Sequence, residues 1–127
     1  MFNVTLDNSN EITVKSRTKE IRFAVDSSGM NPLEAFYATL AGCAAVYAKK
    51  ACKELNIPAD GIHIICRPSA GPGGPLTLAR FETVLQFAER YSNEEMRHIQ
   101  NAVQHCAVKE VVKTGASIEF LVRAEKR

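Results

Sequence analysis

Asn31-Pro-Leu-Glu-Ala-Phe-Tyr-Ala-Thr-Leu-Ala-Gly-Cys43, continued by Ala44-Ala-Val-Tyr-Ala-Lys-Lys-Ala-Cys52-Lys-Glu-Leu55, is the stretch that decides the fold. Asn31 suits an N-cap, Pro32 the first helical position, and Glu34 the third, where a capping-box carboxylate belongs. Lys49, Lys50 and Lys53 fall near the far end, where the helix dipole favours cations. The spacing predicts one long helix from Pro32 to about Leu55. One face carries Leu33, Phe36, Leu40, Tyr47 and Leu55, and the other carries Ala35, Ala38, Ala41, Gly42, Ala45 and Ala48. A helix that is apolar on both sides is covered on both sides. One small sheet covers only one of them, so the pattern points to a second subunit.

Working outward, strands flank this helix. Residues 2–6 and 11–15 alternate apolar and polar around the turn residues Asp7–Asn10, which reads as a hairpin. Residues 19–25 alternate again, with Ile21, Phe23 and Val25 on one face and Glu20 and Arg22 on the other; Asp26-Ser-Ser-Gly29 ends that strand. After the helix, His63 to Cys66 reads as a short strand and the Pro- and Gly-rich Arg67–Pro75 as a loop. Leu78 to about Glu89 is a further strand. Ser92-Asn-Glu-Glu95 is a second capping box, opening a helix to about His105. A short helix is expected after Cys106, and Ala116 to Arg123 closes as a strand with Ile118, Phe120 and Val122 on one face. The order is βββαββααβ, an α+β class, expected as one domain over 1–127.

Composition narrows the function. Hydrophobic residues make up 46%, enough for a core. Sixteen basic against fourteen acidic residues leave +2, which argues against a nucleic-acid partner. The apolar run Ala35–Ala48 contains Thr39, Gly42 and Tyr hydroxyls and stops at Lys49, so no membrane span is expected. The opening residues lack the basic and apolar regions of a signal peptide. A cytoplasmic chain with four cysteines directs attention to thiol chemistry rather than to a disulfide frame.

Cys43 lies about three turns into the long helix, beyond the reach of its N-terminal dipole. It reads either as a small core residue or as a reactive thiol served by a cation from elsewhere. Cys52, nine residues on, points to the opposite side at about 100° per residue, and it reads as packing. Cys66 in His-Ile-Ile-Cys reads likewise. Cys106 sits at a helix junction, either packed or activated by the free N–H groups of a new helix. There is no CxxC pair, and His63-x-x-Cys66 is a poor ligand spacing, so no metal or bound cofactor is expected.

Gly29-Met-Asn-Pro-Leu-Glu-Ala-Phe-Tyr-Ala-Thr-Leu-Ala-Gly-Cys43, with Cys106-Ala-Val-Lys-Glu-Val-Val and a closing strand, resembles the OsmC/Ohr family of osmotically inducible and organic hydroperoxide resistance proteins. The likeness runs from about Lys19 to the end. It implies an intertwined homodimer with long helices at its heart, and thiol-dependent reduction of hydroperoxides, preferably organic, with an external dithiol as reductant. On that pattern Cys43 matches the peroxide-attacking cysteine and Cys106 the resolving one. Arg22 best matches the arginine that serves the first thiol, with Arg17 the alternative. Glu34 matches the pairing carboxylate, displaced by one because Leu33 stands where several members have Glu; it equally fits a capping box. Ala107 stands where many members have Pro. The competing reading is a small-molecule-binding or scaffold dimer without peroxidase activity.

Overall fold

The computed structural model describes residues 1–124; the last three residues of the expected domain, 125–127, lie outside the described residues. The elements are β1 (Asn3–Val4), β2 (Glu11–Lys15), β3 (Glu20–Ala24), α1 (Pro32–Glu54), β4 (Ile62–Ser69), β5 (Arg80–Phe87), α2 (Asn93–Gln104) and α3 (Ala107–Thr114). This is an α+β fold with two antiparallel sheets, β1-β2-β3 and β4-β5.

Both capping boxes close as the local sequence dictates. Asn31 accepts from the Glu34 N–H at 2.9 Å while Glu34 accepts from the Asn31 N–H at 3.2 Å. Ser92 and Glu95 repeat the exchange at 3.1 and 2.8 Å. They satisfy backbone donors that a helix start leaves unpaired. Within α1 the buried positions are Leu40, Ala44, Ala48, Ala51 and Cys52. Their three- and four-residue spacing makes one stripe. Ile99 and Val103 of α2 join this stripe in the core, with Leu85 and Phe87 of β5 and Ile62 and Ile64 of β4 packed around it. Tyr91 ties the β5–α2 corner back to the α1–β4 loop, donating its hydroxyl to the Pro58 carbonyl at 2.7 Å.

Two expectations need correction. Strand β4 runs on through Pro68 to Ser69, paired to Phe81 and Arg80, so Arg67–Ser69 are strand and not loop. Pro lacks only a donor, and the far edge of β4 has no partner strand that would need it. The closing strand is absent: no described residue after Thr114 is in a helix or strand. The reason is one of pairing. Ile118, Phe120 and Val122 alternate as expected, but among the described residues no strand pairs with them, and a strand exists only as part of a ladder. Phe120 is 89% and Val122 97% exposed.

The outer edge of β5 is equally unpaired. It walls a cleft of about 810 Å³ that also touches Leu40, Val103, Cys106 and Val112. Consecutive residues of β5, from both of its faces, line that cleft, which is a property of a strand's edge. Strand β5 has eight residues, and 116–123 is as long. We expect amides of 116–123 and the β5 amides that face away from β4 to be protected together in hydrogen exchange at micromolar protein. Phe120→Asp should release both. Exchange of 116–123 at the rate of a free peptide in the unmutated chain would refute the pairing.

Candidate functional site

Cys43 and Cys106 meet. The core packing of α1 against α2 carries the end of α2 to the middle of α1, and the chain turns there. Cys106, the N-cap of α3, is buried, and its thiol lies against that of Cys43, which is half-buried. Cys52 is buried on the opposite side and Cys66 lies in β4, where its thiol contacts the Thr83 hydroxyl at 3.7 Å. The four cysteines are thus sorted into one pair and two solitary thiols.

Burial pushes the Cys106 thiol above its usual range. The backbone N–H of Lys109, three residues into the turn, is aimed at the sulfur and pulls the other way without closing a cap hydrogen bond. The adjacent Cys43 sulfur pushes up again, since two neighbouring thiols resist sharing negative charge, and the Lys109 charge opposes it. The net direction is upward, so Cys106 rests as a protonated thiol at neutral pH.

Around Cys43 on α1, Phe36, Leu40 and Tyr47 share its helical face. Phe36 packs edge-on against Tyr37 at 5.8 Å, and Tyr37 stacks on Phe81 of β5 at 6.2 Å. The Lys50 ammonium sits over the Tyr47 ring at 4.9 Å. Leu40 also lines the β5 cleft, whereas Phe36 and Tyr47 do not.

The other candidates fall elsewhere. Within one chain Arg22 is not brought into the cleft that holds Cys106. It stands on β3 opposite Thr13, 4.0 Å from Glu20, over a shallow depression of the three-stranded sheet. Arg17 is in the turn between β2 and β3. Glu34 is engaged in the α1 capping box. Lys109 is the cation beside the thiol pair, and the sequence reading overlooked it. The signal was available: a helix opening at Cys106 makes Cys106-x-x-Lys109 an N-cap and its third helical residue.

A family profile for OsmC-like proteins matches residues 25–120. The chain belongs to the OsmC family. No curated protein matches the sequence. Among solved structures, a Psychrobacter arcticus protein named for osmotic stress induction and detoxification response is similar at TM-score 0.66 and 15% identity, over 86% of this chain and 85% of that one. An OsmC-like protein of Mycoplasma pneumoniae is similar at 0.64 and 17%, over 89% and 86%. An OsmC-like protein of Vibrio cholerae is similar at 0.63 and 13%, over 89% and 92%. At these identities the likeness is one of fold. Among the described residues, no helix of this OsmC-family chain is long and apolar enough to cross a membrane.

Cys52 provides a check on the sorting of the thiols. Burial, and after it the charge of Glu95, pushes its pKa up. The folded chain then holds this proton to higher pH than the unfolded chain does. The stability involved is constant below the ordinary thiol value of about 8.5 and declines as pH rises through it toward the native value. Cys52→Ala should flatten that alkaline decline in denaturant titrations and leave Cys43 and Cys106 chemistry within a few-fold. An equally steep decline in the variant would contradict this account of Cys52.

Proposed function

We propose that this protein is a homodimeric thiol-dependent reductase of hydroperoxides, preferentially organic ones. The observation that supports it most is the meeting of Cys43 and Cys106 from opposite ends of the sequence, with Cys106 buried and protonated and Cys43 the more open of the two. The Cys43 thiolate attacks the distal peroxide oxygen. The O–O bond breaks, the alcohol leaves, and Cys43 becomes a sulfenic acid. Cys106 then attacks that sulfur, expels the oxygen as water and closes a disulfide, which an external dithiol reduces. The apolar stripe of Phe36, Leu40 and Tyr47 favours a greasy peroxide over hydrogen peroxide. Arg22 of a second copy remains the proposed cation for Cys43, since β3 lies apart from the thiols within one chain.

The dimer is supported by what one chain leaves bare. Leu33, Phe36 and Val46 of α1 are exposed, with Ile21 of β3 and the 118–122 segment. Large apolar side chains left bare in this way are the kind of surface that marks an interface. A Cβ added at Gly42, on the small-residue face, meets nothing within 4 Å in one chain. Gly42→Val therefore should spare the fold of the protomer yet weaken association about tenfold or more, by overpacking the contact between copies. Light scattering against concentration reads this, and a monomeric parent protein would end the dimer proposal.

The two thiols should fail differently. Cys43→Ser should abolish peroxide consumption. Cys106→Ser should allow one turnover and leave a sulfenic acid on Cys43 that dimedone traps and excess peroxide drives to sulfinic acid. The unmutated protein with one equivalent of organic hydroperoxide should yield a Cys43–Cys106 disulfide by peptide mapping. A folded, dimeric protein that forms no such bond under mild hydroperoxide is a binding or scaffold protein instead.

A further inference from the structure

We infer that Lys109 is the positioning residue of the second step, holding the charge that lets buried Cys106 ionise and close the disulfide. The inference rests on the two-thiol reading of the site. Lys109 occupies the third position of α3, whose N-cap is Cys106, so its N–H faces the sulfur. Its side chain reaches back across the junction and donates from Nζ to the carbonyl of Gln104, the last residue of α2. One cation thereby caps the negative end of α2 while its charge favours a thiolate at the head of α3. At rest the α2 carbonyl holds it in place. On ionisation of Cys106 the same ammonium gains a second anionic group, the thiolate that its charge favours.

The surrounding charges leave this role to Lys109. On α1 the facing titratable group is Cys43. His105 turns its Nδ1 to the Asn101 carbonyl at 2.9 Å. On β5, Arg80 and Glu82 line the shared cleft but pair with each other at 2.9 Å. Lys113, a turn further along α3, lines the cleft with Lys109.

The step balances without an added reactant. Cys106 S–H gives up its proton, the thiolate attacks the Cys43 sulfenic sulfur, the S–O bond breaks, and the departing oxygen takes the proton to leave as water. Burial opposes the first of these events, and Lys109 offsets it. Burial alone would preserve Cys106 from stray oxidants and also make it a slow resolver. A cation anchored to a helix end provides ionisation without opening the site to water.

The test compares Lys109→Arg, Lys109→Gln and Lys109→Met. Gln retains a donor for the Gln104 carbonyl but carries no charge, so it separates charge from capping. The first readout is the pH dependence of iodoacetamide alkylation at Cys106 in a Cys43→Ser background, mapped by mass spectrometry. The expected result is a rate at pH 7 about three- to tenfold lower for Gln and Met, with rates converging at high pH and Arg near the parent. The second readout is the ratio of dimedone adduct to Cys43–Cys106 disulfide after one equivalent of hydroperoxide, expected to rise by a similar factor in Gln and Met alone. If Gln matches Arg in the alkylation profile, Lys109 is only a cap and the inference is wrong. Should Met fail to fold, Arg against Gln decides. The alkylation profile needs no peroxide, so it stands or falls apart from the peroxidase reading. If that profile shifts as expected but no variant or parent closes a disulfide, the peroxidase reading fails and the Lys109 effect on Cys106 ionisation survives, with its role in closure overturned.

Discussion

Close approach of α2 to the alanine stripe of α1 is the constraint on which the rest depends. Ala44, Ala48 and Ala51 place almost no bulk between the two helix axes, and Ile99 and Val103 fill what space remains. Small residues at four- and three-residue spacing set how near the helices come and in what register. Register is what matters for chemistry here. Val103 lies three residues before Cys106, so fixing Val103 on α1 fixes where Cys106 lands. A larger side chain at Ala44 would push α2 outward and take the second thiol away from the first. The alanines therefore read less as filler than as the gauge of the distance between two sulfurs.

The same helix explains why so much of the chain is bare. Covering one stripe of α1 with α2, β4 and α3 leaves Ala38, Gly42, Ala45 and Val46 facing outward. The three-stranded sheet is likewise half finished, with Val4 and Ile21 exposed and Ala24 the buried residue it contributes. The closing segment lacks a ladder and β5 lacks a neighbour. Each deficit is of the kind a second copy would remedy: small residues for close helix contact, apolar strands for cover, and a free edge for a free strand. These unmet requirements are what the proposed dimer would satisfy.

What the sequence made legible follows from how far each signal reaches. Capping boxes are three-residue exchanges, and both were placed to the residue because nothing distant competes with them. Strand alternation located β2, β3 and β5 to within a residue or two. The end of β4 was misjudged because Pro68 is a breaker locally and tolerable only at an edge, which is a fact of topology. The closing strand was read correctly as a pattern, but strand formation is a matter of partners. Arg22 was assigned to Cys43 through family likeness alone, and its alternation on β3 says which face it occupies, not which thiol it meets. Cys43 and Cys106 were likewise named by likeness, while their meeting depends on the α1–α2 register that no local pattern encodes. Lys109 was in reach of local reasoning, since a helix expected to open at Cys106 fixes its third residue.

On the proposed reaction, the different surroundings of the two sulfurs suit them to different steps. A thiol that must find a peroxide needs access, and Cys43 keeps some by lying between the buried stripe of α1 and its outward face. A thiol that must wait needs protection, and burial gives Cys106 that by disfavouring its charged form. The protection is useful only if it lapses when Cys43 has been oxidised. Conversion of Cys43 to a sulfenic acid removes the neighbouring group that could compete for negative charge, and it presents an electrophilic sulfur at the same spot. Of the influences on Cys106, burial stays and the Cys43 contribution goes, while the N–H and charge of Lys109 persist. On the proposed reaction, oxidation of Cys43 therefore lessens the opposition to charge on Cys106, while burial remains the largest influence against it. In the proposed sequence of steps, oxidation of one sulfur thereby changes the electrostatics of the other.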